Sequence, residues 1–130
     1  MSNYLMVIDF HEKFGVPIGR KGHLISAERQ MLRARLMTEE LAELIAAMQM
    51  KDYVNIAKQL TDLLYVVYGT GVEYGIPVGR VFEEVHRSNM TKTPAKDVGG
   101  KVQKGEFYKA PEIEKVIQYE CEQNVSEESS

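Results

Sequence analysis

The feature that most constrains the fold is a run from Ser26 to Met50 that contains no glycine or proline. The run is rich in Leu, Ala, Met, Glu and Arg, which are good helix formers. Its length and composition predict one long helix.

Helix breakers divide the rest of the chain into further elements. Residues 15–19, Gly-Val-Pro-Ile-Gly, end a first amphipathic stretch, and residues 75–77, Gly-Ile-Pro, end a third helix that Asp52 can cap. The pattern predicts an all-α fold, a four-helix bundle-like core with a basic C-terminal loop. The predicted helices cover about Tyr4 to Phe14, Ser26 to Met50, Asp52 to Tyr74 and Val78 to Asn89, with a basic loop over 91–111 and a short helix over about 111–119.

Length and composition are those of one ordinary globular domain. The chain has 130 residues, 44% hydrophobic and 27% charged, which predicts a single domain over 1–118 and an acidic flexible tail over 119–130. The lone Cys121 leaves no intramolecular disulfide or zinc ribbon to consider. No apolar run approaches the roughly 18 to 20 residues that a bilayer requires, so we expect a cytoplasmic protein that does not bind membranes.

Charge is unevenly distributed along the chain. Residues 112–130 hold six glutamates and one lysine, whereas residues 87–109 hold six bases and two acids. The net charge of −3 leaves no overall basic excess. A nucleic-acid partner is therefore not expected, but the basic segment suits a small polyanion such as a nucleotide.

Carboxylates interrupt an apolar face of the second predicted helix. At about 100° per residue, Leu41 centres one apolar stripe, while Glu39 and Glu43 lie on the far side among Leu, Ala and Met residues. Glu40 and Glu43, at i and i+3, can converge on a common point. Acids on such a face repel one another unless a cation or hydrogen bonds compensate.

The third predicted helix repeats this pattern. Asp62 opens an apolar run over 63–68, and Gln59 lies one turn before it. Ligands that are all oxygen atoms favour Mg²⁺ or Mn²⁺. The alternative is a solvated face on which these acids pair with basic neighbours, and periodicity leaves both interpretations open. The candidate basic partners are Arg33, Arg35 and Lys58.

A second carboxylate motif is weaker. Glu83 and His86 have the Glu-x-x-His spacing of di-iron carboxylate bundles, but such sites need two copies and the chain has one. A di-iron oxidase is therefore disfavoured, and His86 is expected to cap or pack near the end of the fourth helix.

The order of the motifs resembles a known superfamily. Residues 39–43, Glu-Glu-Leu-Ala-Glu, followed by residues 59–62, Gln-Leu-Thr-Asp, resemble the EExxE…ExxD signature of the all-α nucleoside triphosphate pyrophosphohydrolases, the MazG-like and dimeric dUTPase superfamily. Residues 62–70 and 81–92 are similar to short phosphoribosyl-ATP pyrophosphohydrolase-like or MazG-like proteins, some of them encoded by phages. Residues 100–111 resemble their C-terminal G-K-x-x-K…P segment.

The resemblance implies hydrolysis of a (deoxy)nucleoside triphosphate between the α and β phosphates, giving the monophosphate and pyrophosphate. It also implies a homodimer or homotetramer. Phosphoryl transfer of this kind needs divalent cations and a carboxylate that positions or deprotonates water. The implied residues are Glu39, Glu40, Glu43, Gln59 and Asp62 for Mg²⁺, for which Mn²⁺ could substitute; Glu39 and Glu43 for catalysis; Asn89, Lys92, Lys101 and Lys104 for the triphosphate; and His11 and Phe14 for the base.

One departure from the signature matters. Gln59 stands where the signature usually has Glu, so the site loses one negative charge while keeping an amide oxygen that can bind Mg²⁺. Three interpretations follow: a working enzyme with a modified site, an inactive nucleotide binder or helical interaction module, and a chain altered to trap its substrate. A phosphoribosyl-ATP pyrophosphohydrolase is the neighbouring enzymatic alternative.

Overall fold

A computed structural model describes residues 1–118, which are all-α as predicted. The predicted helices are confirmed with bounds that shift by at most a residue or two, and the predicted short helix is present at 113–118. No helix in this described part is long and apolar enough to cross a bilayer. The predicted acidic tail lies outside the described residues. The four long helices are α1 Asn3–Phe14, α2 Ala27–Met50, α3 Tyr53–Tyr74 and α4 Val78–Asn89.

The helix ends follow from local sequence chemistry. The Ser26 hydroxyl accepts a hydrogen bond from the Arg29 amide at 3.1 Å, and the Asp52 carboxylate accepts one from the Asn55 amide at 3.2 Å. These side chains satisfy amide groups that would otherwise lack partners in the first helical turn. At the other end of α3, Gly75 takes the left-handed conformation that closes a helix, with φ of 66°.

The contacts divide the chain into two compact units, Met1–Ile76 and the part that begins at Pro77. In the first unit α2 packs along α3, and α1 packs against α3. The expectation of a single domain stays a prediction.

The first unit has a small core and a large apolar surface. Val7, Leu44, Ala47 and Val72 are buried. Other apolar side chains of α2 and α3 stay about half exposed, although they continue the stripes that the sequence places on one face. These side chains are Leu41 at 46%, Ile45 at 47%, Leu60 at 54% and Leu64 at 44% exposure.

In the second unit, hydrogen bonds fold the basic loop onto the end of α4. The buried Ser88 hydroxyl donates to the Lys109 carbonyl at 2.7 Å, and the Lys109 amide donates to the Thr91 hydroxyl at 2.8 Å. Nearer the loop tip, an isolated antiparallel bridge joins Lys96 and Val102. The loop predicted as irregular therefore has defined internal contacts.

Candidate metal and nucleotide site

A short connection places the predicted carboxylates of α2 and α3 together. Lys51 and Asp52 are the residues between the two helices, and Lys51 has the left-handed φ of 56° that a tight reversal requires. A tight connection of this kind makes consecutive helices antiparallel neighbours. Glu40 and Asp62 lie at similar distances along the chain from this turn, so the antiparallel hairpin places them opposite each other on the two helices.

The Glu40 carboxyl group lies in an environment that disfavours its charge. Burial raises its pKa above the usual value, and the nearby Glu43 and Asp62 carboxylates raise it further, whereas Lys58 acts in the opposite direction. A carboxyl group beside like charges and away from water keeps its proton more strongly. The structure thus brings Glu40, Glu43 and Asp62 into one electrostatic cluster, which we call the carboxylate cluster.

Two oxygen atoms at this cluster lack compensation. Glu40 Oε2 and Gln59 Oε1 are buried and have no hydrogen-bond partner within residues 1–118. The Gln59 amide nitrogen does have a partner, since it donates to Asn55 Oδ1 at 3.4 Å. Buried polar atoms normally have a partner, so these two oxygens are exceptions among the described residues.

The carboxylate cluster includes a cationic side chain. Lys58 Nζ donates to Asp62 Oδ2 at 2.7 Å, an i, i+4 contact along α3. The hydrogen bond with Asp62 raises the pKa of Lys58 above its usual value. Asp62 is thus the member of the carboxylate cluster that already has a positive partner.

Glu39 has different surroundings. Its carboxylate lies 3.7 Å from Arg35 Nε on the exposed surface of α2. Among the residues that the structure describes, Glu39 is not one of the groups that shift the pKa of Glu40. This arrangement agrees with the alternative of a solvated ion pair for Glu39 itself, while Glu40, Glu43 and Asp62 lie together.

The oxygen donors of the cluster fit a hard cation by their chemistry. Carboxylate and amide oxygens are the ligands of Mg²⁺ and Mn²⁺, and an uncompensated buried carboxyl oxygen is what such an ion would neutralise. Across residues 1–118 no three His, Cys, Asp or Glu side chains are close enough together to hold a metal ion. The carboxylates are therefore neighbours without being a preassembled ligand set.

A buried ion pair that the sequence analysis missed lies near the other end of α3. Glu73 is fully buried, and its carboxylate accepts from Arg29 Nη2 at 2.8 Å and lies 3.1 Å from Arg33 Nη1. Arg33 also donates to the Val66 carbonyl at 2.8 Å. The sequence analysis offered Arg33 as a candidate partner of the predicted metal-binding acids, but Arg33 pairs with Glu73 instead. The i, i+4 spacing of the two arginines is the signal that could have indicated this network.

Glycine at position 69 makes room for this arrangement. A Cβ atom at Gly69 would lie 2.5 Å from Arg33 Nη2 and 3.1 Å from His11 Nε2. Two side chains, one from α1 and one from α2, therefore approach α3 closely at this glycine.

A cavity of about 410 Å³ lies beside this network within the first unit. His11 is buried in its wall, and His11 Nδ1 lies 2.9 Å from the Pro17 carbonyl oxygen. Since a carbonyl can only accept, Nδ1 is the donor in this hydrogen bond. Phe14 is exposed and packs against Phe10, which lines the cavity, with the two ring centres 4.7 Å apart and the rings tilted by 47°. The cavity is mostly apolar and aromatic, with lining residues that include Phe10, Leu32, Leu36 and Tyr65.

The predicted phosphate-binding residues all belong to the second unit. Asn89 is the last residue of α4 and its carbonyl accepts from the Lys92 amide at 3.1 Å. Lys101 lies in a turn where its amide donates to Asp97 Oδ1 at 2.9 Å. Lys104 Nζ lies 5.1 Å from the centre of the Tyr108 ring.

Comparison with known proteins decides the family. The family model for phosphoribosyl-ATP pyrophosphohydrolase matches residues 7–89, which include most of α1, all of α2, α3 and α4, and the carboxylate cluster. The chain belongs to the phosphoribosyl-ATP pyrophosphohydrolase family. This family is part of the MazG-like all-α nucleoside triphosphate pyrophosphohydrolase superfamily, so the resemblance seen in the sequence is confirmed. Membership supports a pyrophosphohydrolase-type activity on nucleotides.

A viral protein is also similar to this member of the phosphoribosyl-ATP pyrophosphohydrolase family. An uncharacterized protein of Acanthamoeba polyphaga mimivirus is 37% identical over 79 residues, which are 58% of this chain. The chain spans about a third of the length of that relative, 32%.

Proposed function

We propose that the protein is a Mg²⁺-dependent pyrophosphohydrolase that cleaves a (deoxy)nucleoside triphosphate between the α and β phosphates. The observation that carries the proposal is the pair of buried, unpartnered oxygens, Glu40 Oε2 and Gln59 Oε1, beside two further carboxylates. A divalent cation is the ligand that relieves both the repulsion and the missing hydrogen bonds.

Four side chains would hold Mg²⁺, with Mn²⁺ as a substitute: Glu40, Glu43, Gln59 and Asp62. The bound cation supplies charge neutralisation for the phosphate oxygens as the bond between the α and β phosphates breaks. Water would add to a phosphorus atom of the bridge between the α and β phosphates, its proton would go to a carboxylate, and the P–O bond of that bridge would break to release the monophosphate and pyrophosphate. Glu43 is the carboxylate that we assign as proton acceptor, because it is exposed within the cluster. Glu39, with Arg35 beside it, would help orient the water.

The nucleoside would occupy the cavity next to α1. Along α2, Leu36 of the cavity lies one turn before Glu40, and along α3, Tyr65 lies about one turn after Asp62. The cavity therefore adjoins the carboxylate cluster along both helices. Its aromatic walls suit a planar base, and His11 Nε2 would accept a hydrogen bond from it.

The loop residues keep the role that the sequence predicts. We propose that Asn89, Lys92, Lys101 and Lys104 bind the triphosphate, where each lysine acts as a point charge on phosphate oxygens. The half-exposed apolar stripes of α2 and α3 support assembly into a homodimer or homotetramer, since a second copy would cover them. Light scattering of the full chain tests the assembly, and a monomer at micromolar concentration would contradict it.

A nucleotide panel tests the activity. The panel holds canonical and modified ribo- and deoxyribonucleoside triphosphates together with phosphoribosyl-ATP, each with Mg²⁺ or Mn²⁺, and pyrophosphate is measured separately from orthophosphate. We expect pyrophosphate from at least one nucleotide and its loss in Glu43→Ala. Glu12→Ala, on the exposed surface of α1, is the control and should retain the activity.

Gln59 favours one alternative function, a nucleotide-binding module without catalysis. Such a module would lack the full negative charge of the signature and would bind nucleotide without turning it over. Its distinguishing result is a rise in the unfolding temperature on adding nucleotide, with no product from any member of the panel.

A further inference from the structure

The carboxylate cluster contains a cation of its own. Lys58 Nζ lies 2.7 Å from Asp62 Oδ2, and its positive charge also acts on Glu40 and Glu43. The Lys58 ammonium group therefore lies beside oxygen atoms that the proposed function assigns to a divalent cation, and it places a positive charge there.

The charge of the cluster distinguishes this chain from the usual signature. Glu40, Glu43 and Asp62 carry three negative charges when ionised, Lys58 removes one of them, and Gln59 adds none. The balance of minus two matches one divalent cation. A glutamate at position 59 and a neutral residue at position 58 would instead leave minus four, which matches two divalent cations.

We infer that Lys58 and Gln59 together determine how many metal ions the site takes: the Lys58 ammonium group fills one cation position next to Asp62 and Gln59 adds no negative charge, so each chain binds one divalent ion in the absence of nucleotide. This inference rests on the proposed function, because it assumes that the carboxylate cluster is the metal site. It makes Lys58 a positioning residue that acts through Asp62 and not through contact with the substrate.

A plain surface ion pair would behave differently. The Lys58 side chain is 67% exposed, and solvated i, i+4 pairs contribute little to stability. If Lys58 were only such a pair, its removal would leave metal binding unchanged. If its ammonium fills a cation position, its removal frees Asp62 Oδ2 and tightens metal binding.

Titration of the full chain with Mn²⁺, followed by electron paramagnetic resonance without nucleotide, tests the inference. We expect one bound ion in the wild type, one bound about tenfold more tightly in Lys58→Met, and two in the double variant Lys58→Met, Gln59→Glu. The tenfold change is the scale expected for removing one positive charge a few ångströms away in a largely solvated site. Lys58→Arg should keep the wild-type stoichiometry.

Lys115→Met is the matched control. Lys115 also pairs with a helix-proximal carboxylate, Glu112 at 3.9 Å, but in the second unit. The control should bind Mn²⁺ as the wild type does.

Thermal unfolding adds a readout that a merely structural role would not reproduce. In a chelating buffer Lys58→Met should unfold at a lower temperature than the wild type, because the carboxylates have lost their internal cation. Saturating Mn²⁺ should raise the unfolding temperature of Lys58→Met by more than that of the wild type.

The outcomes separate the inference from the proposed function. Equal Mn²⁺ affinity and stoichiometry in the wild type and Lys58→Met, or two ions in the wild type, would overturn the inference and leave the metal site standing. No Mn²⁺ binding by any variant, including the double variant, would overturn both.

Discussion

Near the C-terminus of α3 a single carboxylate, that of Glu73, is fully buried and binds Arg29 and Arg33, whereas in the N-terminal half of the same helix Asp62 pairs with Lys58 and lies near Glu40 of α2. Both groups join α2 to α3. The first has more positive charge than negative charge, and the second has more negative charge than positive charge.

This difference separates a structural ion pair from the proposed binding site. A buried carboxylate with two guanidinium partners has its charge neutralised and its hydrogen bonds satisfied, so it holds two helices in one arrangement. The Glu40 carboxyl group, which lacks such partners, keeps an unsatisfied oxygen and a raised pKa, which are features typical of functional sites.

The largest effect on stability should come from a substitution of Glu73, the carboxylate that two arginines neutralise. Glu73→Gln would leave the buried Arg33 guanidinium without a counter-charge, and we expect a loss of about 3 kcal/mol in the free energy of unfolding. Urea denaturation measures this loss. Glu12→Gln, on the exposed surface of α1, should change the same quantity by less than about 0.5 kcal/mol. A Glu73→Gln protein as stable as this control would show that the ion pairs of Glu73 do not stabilise the fold.

A substitution in the carboxylate cluster should have a smaller effect on stability, and one of opposite sign. Glu40→Gln removes a charge that burial and neighbouring carboxylates disfavour, so the metal-free protein should unfold about 1 to 3 °C higher, a modest gain because the group is partly solvated. The same variant should lose its stabilisation by Mn²⁺. A Glu40→Gln protein that is less stable without metal would show that the cluster is a structural pair after all.

The pH dependence of the metal-free protein sharpens this point. The pKa of Glu40 is raised from 4.5 in the folded chain, so the folded state holds this proton more tightly than the unfolded state. The contribution of Glu40 to stability is complete below pH 4.5 and is lost as the pH rises through the folded pKa. Unfolding in chelating buffer across this range should show the decline, and Glu40→Gln should lack it.

The smallest effect should be local to the second unit. Arg87 and the Glu112 amide hold the pKa of Glu84 at about 2, because both donate hydrogen bonds to its carboxylate. This contribution is present above pH 4.5 and is lost as the pH falls toward 2. The amide resonance of Glu112 should titrate near that pH in nuclear magnetic resonance spectra.

Glu84→Gln should abolish this titration, while Glu106→Gln, an exposed change in the same unit, should not. A Glu112 resonance that titrates near pH 4.5 in the wild type would contradict the hydrogen-bonded arrangement. Neither substitution should alter Mn²⁺ binding.

Local chemistry made the helices predictable from the sequence. Ser26 and Asp52 cap helix starts, and Gly15 and Gly75 close helix ends, and each acts through groups only a few residues away. The clustering of Glu40 with Asp62 was also within reach, since a long apolar helix on each side of a tight turn leaves few other arrangements. The i, i+4 spacing of Arg29 and Arg33 marks them as a pair, but their partner Glu73 was not within reach, because Arg29 and Glu73 lie 44 residues apart and helical periodicity carries no information on such distant pairs.

The sequence by itself determined where the helices lie, which family the chain resembles and which acids suit a hard cation. Only the tertiary structure decided that Arg33 meets Glu73 and how close Glu40 lies to Asp62, whereas the pairs Arg35–Glu39 and Lys58–Asp62 are i, i+4 contacts within one helix. The physical reason is the distance along the chain over which each interaction acts. Helix caps and breakers act over one turn, whereas the partner of a carboxylate depends on how two helices pack and on which side chains then compete for the same oxygen atoms.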